Sequence, residues 1–238
     1  NIVLSMLVSS ESKNIELKKL GHVDSIIEPL KDFFSRFGIK MASILLFIVA
    51  TYRLTDIVMG PMANPFYIDL GYSLEEIGYI VKVVALFATI FGVFLGGILI
   101  KKIGLYKSLI IGAILVMATN LFFSYAALSE KNLMLLASIV ASDSIAAGIV
   151  GTVNITFLTS LVSQKYTGFQ YALLTSLMAF LGKVFAGFSG LIVETFQNLY
   201  GFSYGWMSFY IFTSMLAIPA ILMIYHNRSF FILNSANQ

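Results

Sequence analysis

Six stretches of apolar residues constrain this chain more than any other feature. They run over about 40–63, 75–100, 107–128, 133–162, 170–194 and 206–226. A helix needs about 20 apolar residues to cross a bilayer, and each stretch reaches that length. The whole chain is 58% hydrophobic and only 11% charged. A soluble domain carries about 25% charged residues, so this one lacks the charge to cover a surface facing water. The expectation is an all-α, multi-pass membrane protein.

Composition also removes several kinds of chemistry. Cysteine is absent, which excludes disulfides, thiolate metal sites and a cysteine nucleophile. The two histidines, His22 and His226, lie outside the apolar stretches, so no histidine metal centre is expected. Neither H-E-x-x-H nor G-x-S-x-G occurs, and no paired acidic motif sits on a cytoplasmic loop, so the chain does not read as an enzyme. No cofactor, metal or nucleic-acid partner is implied; membrane lipid is the expected surrounding.

Residues 1–39 precede the bundle. The apolar start at 1–10 is too short to span and reads as the end of a preceding span or a loose end. No basic-headed signal segment precedes the apolar runs, and the chain reads as a piece whose N-terminal part is missing. DSIIEPLKDFFSRFG, at 24–38, places Ile26, Ile27, Leu30, Phe33, Phe34 and Phe37 at three- and four-residue spacings. That pattern predicts an amphipathic helix, lying on the membrane or acting as a solvated linker. Residues 227–238 form a short tail.

Lysine and arginine beside the spans set the orientation. Lys31, Arg36, Lys40, Lys101, Lys102, Lys107, Lys165 and Arg228 fall on one side, and only Lys131 falls on the other. Both termini are therefore expected in the cytoplasm. Trp206, Tyr200, Tyr204 and Tyr210 then lie near the outer edge, where interfacial anchors belong. Six spans with both ends on one side also fit the three-plus-three repeats of secondary transporters.

Five charges lie inside the apolar spans: Arg53, Asp56, Lys82, Asp143 and Lys183. A charge at mid-bilayer costs on the order of 2.5–3.5 kcal/mol on insertion scales, so such groups face protein or water and mark function by default. At about 1.5 Å per residue, Arg53 lies roughly 20 Å from Lys40, and Lys82 roughly 10 Å from Glu75. Arg53 and Asp56 are three apart and share a helix face. Together the five carry a surplus of one positive charge, which suits an anionic solute, and the acids are candidate proton carriers. The competing reading is interhelical ion pairs, such as Asp56–Lys82 or Asp143–Lys183, that only fix the packing.

One loop has a recognisable frame. GGILIKKIGLYK holds Gly97, Lys101, Lys102, Gly104 and Lys107 on a short turn between spans two and three. The frame resembles the inter-helix loop motif of the major facilitator superfamily, with Lys101 standing where that motif has Asp. A longer resemblance covers about 25–225. EPLKDFF at 28–34, YRLTD at 52–56, DLGYSLEEIGYIVK at 69–82, ATIFGVFLGGIL at 88–99, FQYALLTSL at 169–177 and GKVFAGFSGLIVE at 182–194 are similar to the C-terminal half of AmpG-type muropeptide permeases.

The resemblance implies a six-helix half of a major facilitator fold in a cell inner membrane. It implies import of anhydro-muropeptides for cell-wall recycling, driven by the proton gradient, together with a missing N-terminal half. Arg53, Asp56, Lys82 and Lys183 match charged positions of the family's motifs; Asp143 has a looser counterpart. A carrier of another bulky anion such as acetyl-CoA, or a remnant that no longer transports, are the alternatives.

Overall fold

The computed structural model describes residues 24–231. The apolar start at 1–10 and the last seven residues of the tail lie outside the described residues. Every element among the described residues is helical: α1 (Asp24–Tyr52), α2 (Leu54–Asp69), α3 (Leu74–Tyr79), a π-helical turn (Ile80–Val84), α4 (Ala85–Ala126), α5 (Leu133–Leu161), α6 (Thr167–Ala186), α7 (Ser189–Tyr200), α8 (Phe202–Met215) and α9 (Ile218–His226). Among the described residues, five helical runs are long and apolar enough to cross a membrane. One of them, Leu74–Ala126, is 53 residues long, more than twice what a crossing needs.

That long run reverses at Gly104, whose φ of 80° and ψ of 165° leave the helical region. A positive φ of this kind is costly for any residue with a Cβ. The reversal shows in the packing against α5. Gly92 and Gly96 abut Ile145 and Ile149, so the first half of α4 runs the same way as α5. Gly112 abuts Val150, and Thr119 meets Asp143, so the second half runs the opposite way. Counted as two crossings, the run brings the total among the described residues to six, the number expected from the apolar stretches.

Three boundaries differ from the sequence reading. The first span passes through Pro61 and Pro65 and continues to Asp69 instead of ending near the prolines. Membrane helices tolerate proline because neighbouring groups re-satisfy the freed carbonyls. The fifth span extends to Tyr200, interrupted between α6 and α7, and the sixth is divided between α8 and α9. A capping box starts α3: Ser73 Oγ accepts from Glu76 N–H at 3.2 Å while Glu76 accepts from Ser73 N–H at 2.7 Å.

The first turns of α1, expected on the membrane surface or free in solvent, are docked beneath the bundle. Phe33 is buried there, with Phe34 and Phe37 partly buried beside it. Gln170, 2% exposed, ties this helix to the turn between α5 and α6. Its oxygen accepts from Arg36 Nη2 at 2.9 Å and Ser163 N–H at 2.7 Å, and its amide donates to Pro29 O at 2.8 Å and Asp32 at 2.9 Å. All four hydrogen-bonding positions of the amide are used.

The opposite end is fastened too. Tyr72 OH donates to Asn132 O at 2.9 Å, Lys131 pairs with Glu76 at 2.9 Å, and Trp206 Nε1 donates to Asp69 at 2.9 Å. Of the four expected interfacial aromatics, Tyr200 and Tyr204 are exposed. Trp206 and Tyr210 are buried instead, packed on Phe66 with ring centroids 5.2 and 4.9 Å away. The indole found a partner in Asp69, so it had no need of the headgroup layer.

Candidate functional site

Two apolar cores divide the bundle by depth. One gathers Leu45, Val49, Leu109, Phe157 and Leu161 at the lysine-rich end; the other gathers Phe66, Phe123, Leu136 and Phe209 at the far end. Between them lies a layer of polar side chains, and Arg53, Asp56 and Asp143 fall in it.

Arg53 stands where the first span breaks. It separates α1 from α2 with φ −104° and ψ 10°, in the sparsely populated bridge region where many active-site residues sit. Its Nη2 donates to Asp56 Oδ2 at 3.3 Å, closing an ion pair on the first turn of α2. The two side chains are 30% and 16% exposed, so the pair is half-sheltered rather than sealed. Arg53 Nε and the Thr55 hydroxyl are buried beside it without partners. Interrupted helices near mid-membrane are how many transporters offer charge and backbone groups to a solute.

Asp143, on α5, accepts from Thr119 Oγ at 3.2 Å. One residue further along α4, Asn120 accepts from Thr213 Oγ at 2.7 Å, which brings α8 into the same layer. The Tyr210 hydroxyl, also on α8, is buried with no partner. Ser189 Oγ donates to Val58 O at 2.7 Å and fastens the start of α7 to α2 just past the break.

The two interhelical pairs that sequence spacing offered, Asp56–Lys82 and Asp143–Lys183, do not form. Among the described residues the salt bridges are Arg36–Asp32, Arg53–Asp56 and Lys131–Glu76. Asp56 turns to its own helix, and Asp143 to a threonine. Lys82 and Lys183 are exposed side chains. Lys82 stands in the π-helical turn Ile80–Val84, a distortion that recurs at functional sites. Nothing in residue spacing signalled that turn, or the break at Arg53. In the loop frame, Gly97, Lys101, Lys102 and Lys107 are exposed around the reversal at Gly104, whose carbonyl accepts from Ser108 Oγ at 2.7 Å.

Comparison with known proteins agrees with this architecture. The family model of the Major Facilitator Superfamily matches residues 2–187. A putative transporter AmpG 4 of Rickettsia felis is 34% identical over 210 residues, which is 88% of this chain and 48% of that protein. A putative transporter AmpG 1 of Rickettsia prowazekii is 32% identical over 196 residues, 81% of this chain and 42% of that protein. The anhydromuropeptide permease of Escherichia coli K12 is 28% identical over 225 residues, 94% of this chain and 43% of that protein. The chain thus spans somewhat under half the length of these relatives. It belongs to the major facilitator superfamily, a family of membrane transporters rather than enzymes, and its similarity within that family is to AmpG-type permeases.

Proposed function

We propose that this chain is one half of a proton-coupled importer of anhydro-muropeptides, serving cell-wall recycling across a cell inner membrane. Its ends face the cytoplasm in this reading, supported by the asymmetric placement of lysine and arginine. Arg53, Lys82 and Lys183 hold carboxylates of the solute. Asp56 or Asp143 takes up a proton on one side and releases it on the other. The observation that carries the reading is the Arg53–Asp56 pair at a break in a membrane helix, in a chain similar to a permease of that name. A break in a membrane helix beside a half-sheltered charge pair suits a charged solute that sheds water inside the bilayer.

The other half of the cavity comes from a second six-helix unit, as the greater length of the relatives supports. The test is uptake of labelled anhydro-muropeptide into cells lacking their own permease, with this chain expressed beside an N-terminal half. Uptake that requires both halves and collapses with the proton gradient is the expected result. A well-inserted pair that takes up none sinks the muropeptide reading, and uptake of labelled acetyl-CoA in the same cells redirects it to a different anion.

A further inference from the structure

The seam between α1 and α9, at the lysine-rich end of the bundle, carries a second kind of site. Gly38 interrupts α1 with φ 70° and ψ 155°, turning the chain between the docked first turns and the membrane-crossing part. The turn leaves a recess of about 380 Å³ whose walls include Phe37, Lys40, Ile44 and Asn227. A larger open groove of about 550 Å³ continues along the seam, between Phe47 on α1 and Pro219, Leu222 and Met223 on α9. The two are neighbours along both helices. Ile44 and Phe47 lie about one turn apart, and His226, which lines the groove, is followed directly by Asn227, which lines the recess.

The chemistry changes along the seam. The groove walls are apolar and open outward, with Leu222 60% and Phe47 41% exposed. The recess end is cationic. Lys40 lines it, and the Arg228 guanidinium sits 5.9 Å from the ring centre of Tyr225, which borders the groove. Two acids on the docked part of α1 are engaged elsewhere: Glu28 accepts from Tyr166 OH at 2.9 Å, and Asp32 pairs with Arg36 at 3.0 Å. A free anion would use only the recess. A cationic recess that opens into an apolar, outward-facing groove on a membrane-spanning bundle matches a molecule with a phosphate at one end and a hydrocarbon chain at the other.

We propose that the α1–α9 seam binds one anionic phospholipid, with the phosphate at Lys40, Asn227 and Arg228 and an acyl chain along Phe47 and Leu222. The lipid fills a wedge that the chain leaves unpacked, and it pins α9 to α1. The site is independent of what is transported.

The test uses the 238-residue chain, extracted from vesicles of equal phosphatidylglycerol and phosphatidylcholine and weighed intact with its retained lipid by native mass spectrometry. The chain is expected to keep one phosphatidylglycerol in preference to phosphatidylcholine. Lys40→Ala and Arg228→Ala each lower that retention about fivefold, from about 1 kcal/mol per cation near an anionic headgroup. Leu222→Trp, which fills the groove and leaves the charge alone, lowers retention of both lipids. Lys31→Ala, a cation on the docked part of α1, changes nothing. Equal retention of the two lipids by the unaltered chain overturns the proposal. So does a Lys31→Ala loss as large as that of Lys40→Ala, or a lipid-free dimer, which would give the seam to a second copy.

Discussion

Arg53 and Lys82 carry the same charge, and both were singled out by their place inside apolar spans, yet the fold treats them differently. Arg53 is tied to Asp56 at 3.3 Å, whereas Lys82 is exposed. Removing one member of a buried pair strands the other, at a cost of about 3–5 kcal/mol; partial exposure here reduces that to about 1–3 kcal/mol. Arg53→Ala is therefore expected to lower the midpoint of unfolding in detergent measurably. Lys82→Ala is expected to stay within about 0.5 kcal/mol of the unaltered chain. If the two lysines serve the solute, Lys82→Ala and Lys183→Ala keep normal membrane levels in the two-half assay and lose uptake. Uptake at the unaltered rate would make both residues bystanders. That these charges stand among apolar residues was legible in the sequence, and a charge in hydrocarbon needs a partner or water. Which partner each would choose was not. Spacing along a chain says nothing of which helices become neighbours, and Asp56 was satisfied locally by a residue three positions away.

At the scale of elements, glycines separate into two kinds that look alike in the sequence. Gly92 and Gly148 lie where α4 and α5 cross, and a Cβ on Gly148 would run into the backbone of Thr89 and Val93. Gly97, five residues from Gly92, has open space around it. Gly148→Ala is expected to cost about 1–3 kcal/mol through forced separation of the helices. Gly97→Ala is expected to be neutral or to stabilise by up to about 1 kcal/mol. Unfolding titrations of the two variants in one detergent check both. The docked first turns of α1 make a second case. The amphipathic pattern over 24–38 was plain, but a stripe of phenylalanines does not say whether it meets lipid or protein. Gln170 decided that, by making three hydrogen bonds to a helix more than 130 positions away while a fourth holds it to Ser163 in its own turn. Gln170→Leu leaves Pro29 O and Ser163 N–H without their partner, at about 1–3 kcal/mol for each group that stays dry. Faster amide hydrogen exchange over residues 24–37 is the expected sign, with α5 unchanged; equal exchange would mean that the phenylalanines alone hold the helix.

The whole molecule is fastened at both ends, by Gln170 at one and by Tyr72, Lys131 and Trp206 at the other, with its polar layer between. If the proposed two-half carrier is right, such fastening suits a unit that rocks against its partner half. Its orientation is open to direct measurement, because the chain has no cysteine to remove first. Single cysteines at Lys101, Lys165 and Arg228 are expected to resist a membrane-impermeant thiol reagent in intact cells, and one at Lys131 to react. The reverse pattern would invert the bundle and overturn the assignment of cytoplasmic ends.

Length and apolarity alone settled that the chain lives in a membrane as a set of helices, because a bilayer offers backbone amides no other partner. The loop frame and the spaced motifs then pointed to the family. Tertiary structure alone decided that one 53-residue run turns back on itself at Gly104, that α1 breaks beside Arg53, and that Asp143 rests on Thr119 instead of Lys183. Hydropathy is a sum over neighbours in the chain. Breaks and pairings depend on neighbours in space, and those exist only once the helices have packed.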